Sequence, residues 1–194
     1  MRSALFRMLA GIFLIPLGCA TPTDAPDGEW MTVFKTDFAP GDSTALSDWD
    51  IFDHNGALKR TSASFSDDVP PGAPHALVLT VPQAEYPSYI NAMRFFPRID
   101  GTHRYRLSLW MKKTGPCFAA FGSAELERNL ATGAIKNWTF RTGAIAHAEE
   151  TVWSSYTTQD TLTIGQGLSL AVWLRADSLD GRFAALQLER WQDK

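Results

Sequence analysis

The chain has 194 residues, of which 45% are hydrophobic and 12% aromatic, and its formal net charge is −3. It is too rich in aromatic residues and too weakly charged to be disordered, and its length is that of one domain. The slightly acidic balance argues against a nucleic-acid partner, since nucleic-acid-binding proteins work through a basic face.

The first segment is predicted to be an export signal, residues 1–18. Arg2 and Arg7 flank an apolar run of about ten residues that is too short to span a bilayer. The string Leu17-Gly18-Cys19 that follows resembles the lipobox of bacterial lipoproteins, in which the cysteine carries the lipid, including palmitate. The alternative is ordinary signal-peptide cleavage after Ala20.

The lipidated Cys19 and a tether rich in Pro, Thr and Asp occupy residues 19–29, and the domain is predicted at 30–194. The protein is therefore expected to be exported and anchored to a membrane through Cys19, facing the periplasm. Residue 20 is Ala rather than the Asp that typically retains such proteins in the inner membrane, which favours the outer membrane. With Cys19 lipidated, Cys117 has no disulfide partner, and its apolar surroundings predict a buried thiol.

From Met31 onward, short alternating apolar runs are separated by clusters of Gly, Pro, Asp and Asn. Such spacing predicts an all-β fold of about ten strands, a two-sheet antiparallel sandwich of the jelly-roll type. The segment 123–133 is the best candidate for one or two helical turns, the alternative being a strand connection. We predict strands at residues 31–38, 58–65, 76–82, 89–96, 103–113, 117–124, 134–141, 152–162, 167–176 and 182–191.

Two of these strands alternate clearly enough to assign their faces. Residues 103–112 place Tyr105 on an apolar face and Trp110 on a polar one, and residues 167–175 place Trp173 opposite their Leu and Val side chains. Each strand therefore carries one Trp that the core does not require.

Four stretches of the chain resemble motifs of jelly-roll carbohydrate-binding modules and occur in the order found in that family. They are the opening VFKTDFAPG, the strands HRYRLSLWMKK and TVWSSYTTQDTL, and the closing stretch GLSLAVWLRADSLDGRFAALQLERW. These galactose-binding-like modules are attached to xylanases and glucanases. The resemblance implies the jelly-roll fold and non-catalytic binding of a polysaccharide or other glycan.

Sugar binding in this fold class needs aromatic planes that stack on pyranose rings and charged side chains that bond to hydroxyls. For each Trp the alternative to a binding role is a place in the core, because a jelly roll buries several Trp side chains. Trp153 is predicted to be core, and Trp49 and Trp191 to be core or edge covers. The candidate ligand-binding residues are Trp110, Trp173, Arg106, Arg175, Trp138, Tyr86 and Tyr89.

In the family, acidic residues near the terminal strands often hold a structural calcium ion. Here Ala39 replaces the first, and Leu186 or Gln187 replaces the last. Asp37 remains, but calcium needs six to eight oxygen ligands. We therefore predict no metal and no cofactor. The Asp-rich segment 48–56 is interpreted as loop and turn.

Motifs of hydrolases and metalloproteases are missing, as is a run of carboxylates on one strand that could cleave a glycoside. His147, Glu149 and Glu150 are predicted to lie in a solvated loop. The chain is therefore not expected to be an enzyme. The alternative to sugar binding is a structural or assembly lipoprotein whose aromatic face binds a protein partner in the cell envelope.

Overall fold

A computed structural model describes residues 27–39, 46–53, 62–81, 89–96, 99–133, 135–177 and 179–194. These ranges contain eleven strands and no α-helix. The described residues contain no helix that is long and apolar enough to cross a membrane. The strands are β1 (Gly28–Thr36), β2 (Asp50–Asp53), β3 (Ala63–Ser66), β4 (Ala76–Val81), β5 (Ile90–Phe95), β6 (Gly101–Lys113), β7 (Cys117–Arg128), β8 (Ile135–His147), β9 (Ser154–Ile164), β10 (Leu168–Ala176) and β11 (Leu179–Asp193).

The strands form two antiparallel sheets. Sheet A has the order β3-β4-β11-β6-β9, and β1 also pairs with β11. The long strand β11 pairs with β4 through its first residues and with β1 through its last, while β6 runs along its other side. Sheet B has the order β2-β5-β10-β7-β8. The prediction of a two-sheet, all-β jelly-roll sandwich is confirmed.

The core lies between the sheets and follows the predicted alternation. In β6, Tyr105 and Leu107 are buried, and in β10, Leu170 and Val172 are buried. Side chains at alternate positions of a strand point to opposite faces, so the polar residues between them face outward. Trp49 is fully buried, as predicted.

The Asp-rich segment was expected to be loop, but residues 50–53 form the edge strand β2. This prediction was wrong because a four-residue strand is stabilised by its partner β5 and not by its own sequence. Ile51 and Phe52 are both buried there.

Three other boundaries differ from the sequence prediction. Strand β8 continues to His147, which pairs with Phe118, so of the three residues expected in a loop only Glu149 and Glu150 lie beyond the strand. The segment 123–133 continues β7 to Arg128 and then turns, without a helix. Strand β1 begins at Gly28, inside the expected tether. Strands β1, β7 and β8 continue beyond their apolar residues because their backbones pair with a neighbouring strand there.

Cys117 is a free thiol with only 3% of its surface exposed, as predicted. Burial raises the pKa of the Cys117 thiol to about 11. Cys19 lies outside the described residues, as do the expected export signal, most of the tether and the first half of the predicted strand 58–65. Export and lipidation therefore remain predictions.

Candidate functional site

The outer face of sheet B collects aromatic and polar side chains in its middle rows. Trp173 and Arg175 point outward from β10, since Leu174 between them is buried in the core. In the ladder, Arg175 is flanked by Asn91 of β5 and Phe118 of β7. Two of the predicted site residues are thus neighbours on one surface.

Trp173 is the centre of an aromatic cluster that we define as Phe52, Phe118, Trp138, Phe140 and Trp173. Its ring centroid lies 4.8 Å from Phe118 and 4.8 Å from Trp138, both nearly perpendicular to it. Phe140 lies 5.8 Å away. The indole Nε1 of Trp173 donates a hydrogen bond of 2.8 Å to Oδ1 of Asn91, which orients the ring.

The hairpin of β7 and β8 curves over this outer face. Trp138 pairs with Leu126, one residue beyond the point where β7 leaves β10. Nevertheless the Trp138 ring lies over Trp173 and 6.2 Å from Phe52 on β2, the opposite edge strand. A side chain cannot bridge five strands that lie about 4.8 Å apart. The end of the hairpin must therefore fold back across the sheet.

An ion pair holds the hairpin in this position. Arg128, at the end of β7, donates hydrogen bonds of 3.0 Å and 2.5 Å to the two carboxylate oxygens of Asp50 on β2. Its guanidinium also lies 5.8 Å from the ring of Phe95 on β5, the strand next to β2. The hydrogen bond to Asp50 raises the pKa of the Arg128 guanidinium, which therefore stays charged.

At the other end of the face, Arg175 stacks on Tyr89. The guanidinium carbon is 3.9 Å from the ring centroid, and Arg175 also forms an ion pair with Asp177. Only a quarter of the Arg175 side chain is exposed. The stack offers an aromatic plane and guanidinium N–H donors, the two groups that sugar rings and hydroxyls require.

Four of the seven predicted binding residues lie together on the outer face of sheet B: Trp138, Trp173, Arg175 and Tyr89. Tyr86 lies outside the described residues. Trp110 and Arg106 belong to β6 and point outward from sheet A, on the opposite side of the sandwich. They cannot line one site with Trp173, because two sheets and the core lie between.

On sheet A, Trp110 packs under a loop. It contacts a small apolar cluster that includes Ala73 and Trp153 and is separate from the main core. Trp153 was predicted to be core, but it is half-buried on the outer face, where its Nε1 donates to Oδ1 of Asp68 at 3.1 Å. The pKa of Asp68 is lowered, mainly by the hydrogen bond from Lys112 and next by the one from Trp153. Trp110 therefore helps to seat this loop.

Arg106 has a structural partner of its own. Its Nε donates a 2.8 Å hydrogen bond to the nearly buried Glu189, and its guanidinium lies 4.4 Å from the Trp30 ring. Trp30 in turn packs edge-on against Trp191 at 5.3 Å, so Trp191 covers an edge as predicted. These contacts fasten β1 and β11 together.

Sequence reasoning missed several members of the site, namely Phe52, Phe118, Phe140 and Asn91. Phe118 lies in a strand whose small side chains are buried on both faces, so alternation gave no signal there. Asn91 is a lone amide in an apolar strand and is fully buried. Its isolation was a usable signal, because a buried amide needs a hydrogen-bond partner.

Within the described ranges, no three His, Cys, Asp or Glu side chains converge in a way that could hold a metal ion.

Neither a family model nor a curated protein sequence matches the chain. A solved structure of the CBM22-1 xylan-binding domain of Paenibacillus barcinonensis Xyn10C is similar, with 14% identity and a TM-score of 0.51 over 86% of this chain and 97% of that one. The tandem CBM22-1-CBM22-2 domain of the same protein has 13% identity and a TM-score of 0.52 over 81% of this chain and 50% of that one.

The enzymatically active domain of tailspike protein 4 from bacteriophage CBA120 is also similar, with 15% identity and a TM-score of 0.50 over 73% of this chain. The chain spans only 19% of that tailspike chain. At these identities the likeness establishes the fold. The resemblance seen in the sequence is confirmed at that level: the chain has the jelly-roll fold of carbohydrate-binding modules.

Proposed function

We propose that the chain binds a polysaccharide without cleaving it, through the outer face of sheet B, and that it does so as an exported bacterial lipoprotein. The observation that carries this proposal is the meeting of Trp138, Trp173, Tyr89 and Arg175 on one face. Fold likeness alone does not assign function, so the proposal depends on these side chains.

The described geometry supports contact at the rim of the aromatic cluster. Trp138 and Trp173 are half-buried and so keep part of their rings accessible. Tyr89 and Arg175 add a charged, hydrogen-bonding end. A sugar ring can stack on the exposed aromatic surface while its hydroxyls bond to Arg175.

Affinity electrophoresis of the purified chain through gels cast with soluble polysaccharides tests the proposal. Xylan is the first polymer to include, because a similar structure is a xylan-binding domain. We expect retardation by at least one polymer. Trp138→Ala should weaken it by about tenfold or more, the loss typical when an aromatic anchor is truncated.

Trp110→Ala is the matched control, since it removes the same side chain from the opposite face and should leave retardation unchanged. Thermal unfolding of each variant confirms that it is folded. If no polymer retards the chain, carbohydrate binding is contradicted, and a protein partner for the aromatic face becomes the alternative.

A further inference from the structure

Next to the aromatic cluster, a pocket of about 330 Å³ lies at the end of the sandwich where β6 turns into β7. Its walls come from residues 113–118 and from His147, Ala148, Thr151 and Asp177. Phe118 lines the pocket and also belongs to the aromatic cluster. The pocket therefore adjoins the face to which the proposed function assigns glycan binding.

Backbone hydrogen bonds join the three walls. The amide of Lys113 donates to the carbonyl of Glu150 at 3.2 Å, and the amide of Ala148 donates to the carbonyl of Cys117 at 3.0 Å. The amide of Asp177 donates to the carbonyl of Pro116 at 2.8 Å. The pocket is thus preformed, which reduces the entropy that a ligand must overcome on binding.

The charges of the pocket are unequal. The negative charge of Asp177 is balanced by its ion pair with Arg175. Lys113 lines the pocket and has no carboxylate within ion-pair distance among the residues that the structure describes. The side chains of Glu149 and Glu150 are exposed and are not part of the walls. The ammonium group of Lys113 is therefore available to an anionic ligand.

We propose that this pocket binds a terminal acidic sugar, with the carboxylate of the sugar at Lys113 and its ring against Phe118. This inference rests on the proposed function and names the ligand class of its end subsite. The volume is at the lower limit for small-molecule pockets, which suits a single ring. Because the pocket lies at the end of the sandwich, we expect it to take the end of a glycan chain and not a residue in the middle of one.

Two probes that differ only in the carboxylate test this assignment: methyl β-D-glucuronide and methyl β-D-glucoside, titrated into the purified chain by NMR. We expect the glucuronide to bind at least about tenfold more tightly, the value typical of a hydrogen bond to a charged group. Raising the salt concentration should reduce this preference, since the ion pair is partly exposed.

Lys113→Gln should remove the preference for the glucuronide while leaving the affinity for the glucoside unchanged. Lys112→Gln is the matched control. It makes the same change of charge at the next residue, whose side chain points outward from sheet A and pairs with Asp68. That variant should keep the full preference.

Equal binding of the two probes, or a preference that survives Lys113→Gln, would overturn the inference. So would acetate that competes as well as the glucuronide, since the site would then recognise only a carboxylate. If polysaccharide gels retard the chain while the glucuronide shows no preference, only this inference fails. If neither probe binds and no gel retards the chain, the proposed function fails as well.

Discussion

Gly143 lies in β8 opposite Gly122 of β7, with no room for a side chain. A Cβ atom there would lie 2.0 Å from the carbonyl oxygen of Phe121 and 2.8 Å from the ring of Phe140. The register of β7 and β8 shifts close by, between Ser123 and Ala124. The missing side chain thus lets Phe140 fold onto the sheet and join the aromatic cluster.

Gly143→Ala is therefore expected to lower the free energy of unfolding by at least about 2 kcal/mol, because the backbone must move to admit the methyl group. Urea denaturation measures the change. Gly165→Ala is the matched control: a Cβ there meets no atom within 4 Å, and its effect should stay within about 0.5 kcal/mol. Equal stability of the two variants would show that the close approach is not rigid.

At the scale of elements, the β7–β8 hairpin decides how much of the aromatic cluster meets solvent. It is joined to β2 by the ion pair of Arg128 with Asp50 and by the contact of Trp138 with Phe52. The Asp50 side chain is only 17% exposed, so this pair is better shielded than a surface salt bridge. These two contacts, together with the packing of Trp138 and Phe140 on Trp173, hold the hairpin across the face.

Asp50→Asn should loosen the hairpin without unfolding the sandwich, because it removes the charge and one of the two accepting oxygens. Amide hydrogen exchange is expected to become about tenfold faster in residues 126–138 and to stay unchanged in β6. Lys136→Gln is the control, since its pair with Glu127 is exposed and lies within the hairpin itself. A uniform increase over all strands would mean that Asp50 stabilises the whole fold instead.

For the whole molecule, β11 joins strands from distant parts of the chain. It pairs with β1, β4 and β6, so the last strand holds the first strand in sheet A. Gly28, the start of β1, lies nine positions after the predicted lipid anchor at Cys19. Fully extended, this stretch reaches at most about 30 Å, which would keep the domain near the membrane surface.

If Cys19 is lipidated, the wild-type chain should be recovered in the membrane fraction of bacterial cells that express it. Cys19→Ser should move it to the soluble fraction, because a serine cannot accept the lipid. Cys117→Ser serves as the control and should not change the distribution, since Cys117 is buried in the core. Identical fractionation of the wild type and Cys19→Ser would favour cleavage after Ala20.

The positions of most strands, and the faces of two of them, could be predicted from the sequence, because alternation with a period of two is a local property. It placed Tyr105 inside and Trp110 outside correctly. The short strand β2 could not be predicted, since its two apolar residues owe their order to pairing with β5. Two residues of the candidate site, Trp173 and Arg175, were identified in the same way, by their outward-facing positions.

The sequence by itself determined that this is a two-sheet β-sandwich with Trp110 and Trp173 both outside the core. Only the tertiary structure decided that they lie on opposite sides, because the sheet that a strand joins depends on pairing between residues far apart in the chain. The same non-local pairing brings Trp138 over Trp173 and Arg128 to Asp50. Alternation shows whether a side chain faces outward, and topology decides which residues it meets there.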